Sequence, residues 1–197
     1  MIEIAGKQIY TELTELVAAE HTALVVVDMQ HDFVDPDGSF GRLEVDLTMY
    51  PAMRRTLGAL LAAARRRSVL VIHLQDTALP DRMSDSAAQI RFNLRMHAAA
   101  RRDGPPLTYT LLGTPGHAFV PDLAPTDAEL VVLKYRSSGF WGTNLELLLR
   151  SNGIDTVLLS GCTTEGCVES TARDALFNDH HVVIAGGLRR QRRSCST

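Results

Sequence analysis

Five short, nearly unbroken apolar runs set the limits on what this chain can fold into. They are TALVVVD (22–28), VLVIHL (69–74), ELVVLK (129–134), DTVLLSG (155–161) and HVVIAG (181–186). None alternates cleanly with polar residues. A strand wetted on one side would alternate, because successive side chains point to opposite faces. Continuous Val, Leu and Ile instead suits strands covered on both faces, as in a parallel sheet.

Helical patterns fill the gaps between the runs. Residues 50–67 carry Met53, Leu57, Leu60, Leu61 and Ala64 on one face and arginines on the other. Pro51 falls in the first turn, where a missing N–H is harmless. Residues 142–153 read as a helix with Thr143 or Asn144 near its N-cap and Gly153 just past its end. Residues 164–178 put Val168, Thr171, Ala172 and Ala175 on an inner stripe, and 84–102 and 7–19 add two further helices. Strand alternating with helix predicts an α/β fold. The expected form is a three-layer α/β/α sandwich around a doubly wound, mainly parallel sheet of about five to six strands. Segment 103–128, with five prolines and three glycines, reads as an ordered excursion over the sheet. With no repeat and no low-complexity stretch, residues 1–197 are expected to form one domain ending in an atypical basic tail, 187–197.

Charge narrows the class of partner. The net charge is −3, so the molecule as a whole does not attract nucleic acid. The exception is LRRQRR (188–193), which reads as a solvated tail. No apolar run approaches the roughly 20 residues of a membrane span. The first residues lack the plan of a signal peptide. The three cysteines, 162, 167 and 195, make no disulfide framework, so a cytoplasmic chain with reduced thiols is expected.

The informative polar residues sit where the apolar runs stop. In a doubly wound sheet, ligands bind outside the carboxyl ends of the strands. Asp28 closes the first run, Lys134 closes the third, and Cys167 follows the fourth in the turn opening the next helix. Singly, each suits a bland role: a turn cap, a solvated lysine, a small core residue. Together they deliver a carboxylate, an ammonium and a thiol to one sheet edge. A thiol is mostly protonated at neutral pH. Helix N-terminal amides and a neighbouring ammonium are expected to favour thiolate. A carboxylate within reach can take the thiol proton and return it to a leaving amine. The C-x4-C spacing of Cys162 and Cys167 lacks the second ligand pair of a structural zinc site.

DMQHDF (28–33), LKYRSSGFWGTNLELLL (133–149) and GCTTEGCVESTARDA (161–175) closely resemble the isochorismatase-like cysteine hydrolases. The last two blocks are most similar to the N-carbamoylsarcosine and ureidoacrylate amidohydrolase branches. The resemblance spans about residues 20–185. It implies Asp28, Lys134 and Cys167 as the catalytic set, with Cys167 the nucleophile and Cys162 a small buried neighbour. It implies a cis peptide between Cys162 and Thr163, and an oxyanion hole from the N–H groups of Thr163 and Cys167. It also implies a small-molecule substrate with an amide, carbamoyl or ureido group; with the charge and run lengths above, the expectation is no cofactor, no membrane or nucleic-acid partner, and a homo-oligomer. Phe33, Phe140 and Trp141 flank the motifs and are expected to wall a substrate pocket. Gln30 and Asp32 are expected to orient Asp28 and its loop, with a turn-capping role as the alternative for Asp32, and His31 to lie at the surface or behind the groups that touch substrate. The nicotinamidase branch carries a metal-binding Asp-Trp-His segment where this chain reads HLQDTALPDRM, so no metal is expected. Past Gly186 the sequence departs from the pattern of the family. The usual C-terminal helix is replaced by GLRRQRRSCST, which is expected to leave part of the last strand uncovered. A relative impaired in catalysis, serving as a small-molecule or protein-binding module, is the rival reading.

Overall fold

The computed structural model describes residues 1–99 and 108–185. The basic tail with Cys195, the last residues of the expected helix 84–102 and the first of the loop 103–128 lie outside the described residues.

The N-terminal segment departs from expectation. In place of a helix over 7–19 it forms a hairpin, β1 (Ile2–Ile4) and β2 (Lys7–Ile9), and then a single turn, α1 (Leu13–Leu16). The physical reason is the Ala5-Gly6 turn. Both residues have positive φ, 52° and 77°, the conformation that closes a tight hairpin.

Each of the five apolar runs then becomes a parallel strand. They are β3 (Thr22–Val27), β4 (Leu70–Asp76), β5 (Leu130–Lys134), β6 (Thr156–Gly161) and β7 (His181–Ile184), in the order β5-β4-β3-β6-β7. Two single turns, α2 (His31–Val34) and α3 (Ser39–Arg42), follow β3. The helices α4 (Tyr50–Arg66), α5 (Ala87–Ala99), α6 (Leu145–Ser151) and α7 (Glu169–Phe177) complete the set.

Two cores flank the sheet. Leu24, Val26 and Val71 pack against Met53, Leu57 and Leu61 of α4 on one face. Ala23, Val25, Val27, Ile72, Leu74, Val132, Val157 and Leu159 pack against Leu145 and Leu149 of α6 and Ala175 of α7 on the other. This is the three-layer α/β/α sandwich, with α6 and α7 on the face opposite α4. Every residue of β3 is buried. The edge strands are not covered on both sides. β5 buries Val132 but leaves Val131 and Leu133 exposed, and β7 is only half-buried. Apolar continuity overstates cover at edges, because an edge strand keeps the composition of its neighbours while losing one layer of helix. Among the described residues, no helix is long and apolar enough to cross a membrane.

The connection from β3 to β4 runs one way across the sheet. The chain later returns to place β6 on the other side of β3. The crevice at the carboxyl end of β3 is therefore the topological switch point, the place where such folds bind ligands.

Candidate active site

Asp28 begins the loop leaving β3. Its φ is +50°, a left-handed conformation that a short polar side chain tolerates better than most. Its N–H donates to the carbonyl of Leu74 (3.1 Å), and its own carbonyl accepts from Gln30 N–H (2.8 Å) and from the Cys162 thiol (3.1 Å). The carboxylate is fully buried.

Lys134 ends β5, two strands away from β3 in the sheet. Adjacent strands are about 4.8 Å apart, so only a long side chain laid over the end of β4 reaches the switch point. Lys134 does this and is itself fully buried. Its ammonium has three N–H donors. They go to Asp76 Oδ1 (3.0 Å), the Arg136 carbonyl (3.1 Å) and Cys167 Sγ (3.3 Å). Asp28 Oδ2 is nearer still, at 2.8 Å, in a fully buried ion pair. The same carboxylate lies within reach of the Cys167 thiol.

Cys167 is delivered by β6. Gly161 ends that strand with φ of +136°, and a Cβ there would collide with the Val27 carbonyl oxygen, so only glycine lets β6 close against β3 at this point. The next peptide, Cys162–Thr163, is cis. Residues Thr164–Val168 then form one π-helical turn, in which Val168 N–H reaches back to the Thr163 carbonyl (3.1 Å). The expected α-helical first turn is thus a wider one. Thr171 fixes it from below, donating to the Cys167 carbonyl (2.6 Å) and accepting from Gly139 N–H (2.9 Å). Cys167 itself is half-buried, and Cys162 is buried, as expected of a small neighbour.

Lys134 pulls the Cys167 thiol toward thiolate, as its charge implies, but burial, the largest influence, and the carboxylates of Asp28 and Asp76 outweigh it and hold the thiol well above its ordinary range. The resting sulfur is a thiol. Burial also pushes Asp28 up to about 6, against the pull of Lys134 and with the help of Asp76. Burial pulls Lys134 down, but Asp28, Asp76 and Cys167 more than reverse this and hold it charged.

A cavity of about 320 Å³ has Cys167, Thr163 and Asp76 among its lining, while the fully buried Asp28 and Lys134 are not part of that lining. Phe33 lines it, as expected, in an aromatic group with Phe40 (centroids 4.9 Å) and Tyr109 (5.7 Å). Phe140 and Trp141 do not line it. Phe140 packs with the α6–α7 core and faces His180 at 6.1 Å. Trp141 is 63% exposed, with the Arg136 guanidinium 5.5 Å from its ring centroid. The pocket wall comes instead from the α2–α3 turns and from the segments around 92 and 109.

Gln30 holds the Asp28 carbonyl through its backbone N–H, while its side chain clamps the backbone of Asp76. Its side chain donates to the Asp76 carbonyl (2.9 Å) and accepts from Asp76 N–H (2.8 Å). Asp32 caps Ser39 N–H (2.9 Å) and Thr110 N–H (2.7 Å). His31 is half-buried, with its Nε2 3.6 Å from Asp35 and 3.3 Å from Asp37. Asp76 is the residue that sequence reasoning missed. It ends β4 as Lys134 ends β5, so the rule that found the others would have found it.

Residues 22–186 match the isochorismatase domain family. The ureidoacrylate amidohydrolase RutB of Enterobacter sp. (strain 638) is 33% identical over 171 residues, 85% of this chain and 74% of that protein. A cysteine hydrolase from Pseudomonas syringae pv. phaseolicola 1448A superposes with a TM-score of 0.70 at 27% identity, over 86% of this chain and 72% of that one. The N-carbamoylsarcosine amidase of Thermoplasma acidophilum gives a TM-score of 0.65 at 30% identity, over 87% and 85%. By a domain match that covers most of its length, and in the company of amidohydrolases and cysteine hydrolases, this chain belongs to the isochorismatase family.

Proposed function

We propose that this chain is a cysteine-dependent amidohydrolase that cleaves a C–N bond of a small amide, carbamoyl or ureido compound through a covalent intermediate on Cys167. The observation that carries the reading is one ammonium, Lys134 Nζ, touching Asp28, Asp76 and the Cys167 sulfur at 2.8, 3.0 and 3.3 Å beside an open cavity. The names of the relatives support the same class of reaction.

Asp28 takes the thiol proton as the sulfur attacks the carbonyl carbon, and Lys134 stabilises the thiolate as it forms. The oxygen of the tetrahedral intermediate is received by the N–H groups of Thr163 and Cys167. Asp28 returns its proton to the departing nitrogen. Water then enters, loses a proton to Asp28 and attacks the carbon held on sulfur, and the thiol re-forms as the acid leaves. Asp28 serves as acid and base because its pushed-up affinity, about 6, sits near the working pH.

The test is a substrate screen with ammonia detection, read beside the intact mass of the protein. Cys167→Ala is expected to fold as wild type, to show no adduct and to lose turnover entirely. Normal turnover in Cys167→Ala would end this reading. The neutral resting thiol also sets an expectation for alkylation. Iodoacetamide should label Cys167 slowly at pH 7 and faster as pH rises, unlike a thiolate exposed at a helix terminus.

A further inference from the structure

Asp76 has acceptor capacity that the cycle above leaves unused. Its Oδ1 receives Lys134 and its Oδ2 faces the hydroxyl of Thr110 at 2.9 Å. An ionised carboxylate offers about four lone-pair directions, so two remain. Its side chain is 17% exposed, and that surface faces the cavity beside Cys167. The mount is rigid: Gln30 clamps the Asp76 backbone on both its N–H and its carbonyl, and Asp32 holds the N–H of Thr110. Asp76 thus holds Lys134 with one oxygen while its exposed edge presents an acceptor to the cavity.

Resting on the proposed reaction, the geometry points to Asp76 as a specificity-determining residue that accepts an N–H from the group which stays on the Cys167 sulfur, so that the substrate is a carbamoyl compound, with an amino group on the carbon under attack, and not a simple acyl amide. That carbon has three substituents. In the proposed cycle its oxygen is received by the N–H groups of Thr163 and Cys167, and its leaving nitrogen takes its proton from Asp28. The third substituent is left to face Asp76. If that substituent is an amino group, its proton meets a carboxylate oxygen. If it is carbon, as in an acyl amide, it strips water from a carboxylate and gives nothing back.

A pair of probes with one leaving group isolates this choice: 4-nitrophenyl carbamate and 4-nitrophenyl acetate, whose transferred groups differ only as amino against methyl. In each, the S–C bond forms, the C–O bond breaks, and the thiol proton passes through Asp28 to the departing nitrophenol oxygen. Water later cleaves the S–C bond and releases carbamic or acetic acid. Rates are read from nitrophenol release and the site from the mass of the Cys167 adduct. Each rate is divided by that of glutathione, which removes intrinsic reactivity.

In wild type the carbamoyl-to-acetyl ratio is expected to exceed that of glutathione. Asp76→Asn is the informative variant because it keeps the shape. Its oxygen turns to Lys134, which leaves an amide N–H donor where the second carboxylate oxygen was. The ratio should fall about ten- to a hundredfold, the worth of one hydrogen bond to a charged group. Thermal unfolding of the variant, read alongside, should stay close to wild type. If Asp76→Asn lowers both rates in proportion, Asp76 only positions Lys134 and the inference is overturned. An unchanged ratio overturns it as well. If neither probe labels Cys167 in wild type, the proposed reaction itself falls and takes this inference with it.

Discussion

At the level of single residues, the proton affinity of Asp28 governs the expected pH behaviour. Its carboxyl titrates at about 6 because burial, the largest influence, disfavours the charge. It acts as a base only when ionised, so kcat/KM should rise with pH through about 6, and a profile flat from pH 5 to 8 would contradict the assignment. Asp28→Asn removes the base and should cost about a hundred- to ten-thousandfold in kcat/KM, checked by progress curves with long incubation. Much of this cluster was legible in the sequence, since Asp28 and Lys134 end apolar runs and Cys167 follows one. What escaped was Asp76. Asp76 closes β4 and pairs in register with Lys134, but the apolar run VLVIHL stops at Leu74, so the last two residues of the strand read as loop. Phe140 and Trp141 were misread for a related reason. Closeness to a motif along the chain does not say which way a side chain points once Gly142, at φ of +69°, turns the backbone toward α6.

Among the secondary-structure elements, Gly161 is the joint on which the nucleophile-bearing turn depends. An alanine there would meet the β3 backbone in a conformation that L residues rarely adopt. Gly161→Ala is expected to lower stability by about 2–4 kcal/mol, with a fall in Tm of roughly 2–4 °C for each kcal/mol in a chain of this size. Denaturant and thermal melts against wild type check it. The strands and α4 were readable because burial on both faces and a 3.6-residue stripe are strong, local signals. The N-terminal hairpin was not. Its few apolar residues fit a helical period as well as an extended one, and the decision fell to the positive φ of Ala5 and Gly6, which composition does not display. The π-helical turn at Thr164–Val168 was equally hidden, because Thr171, which holds its Cys167 carbonyl, is itself fixed by Gly139 from another part of the fold.

For the whole molecule, acid should loosen the sandwich through a polar bridge on the α4 side of the sheet. Arg65 from α4 and His73 from β4 both bind Glu129, at 2.8 and 3.1 Å. Burial raises Glu129, but Arg65, the Thr126 N–H and His73 prevail and hold it down to about 2. A carboxylate with a depressed affinity in the fold stabilises it above its ordinary value of 4.5, and that stability is lost as pH falls from there toward about 2. His73, pulled below 6.5 by burial, acts in the same direction. Asp28 acts in the opposite one, since its protonation below about 6 relieves a buried charge. The clean measurement is therefore a difference: Glu129→Gln should flatten the acid limb of the denaturation free energy relative to wild type, and parallel curves would refute the bridge. The enclosure of Lys134 among Asp28, Asp76 and Cys167 has a last consequence, this time for how the reaction feels its medium. With a neutral thiol at rest, sulfur and carboxylate merely swap which of them is ionised as attack begins, so the interior keeps one unvarying excess electron charge throughout. No ion crosses from solvent, and mobile electrolyte has little to screen. The chemical step should thus run at nearly the same speed in dilute and in concentrated salt, while exchange of light for heavy water slows it.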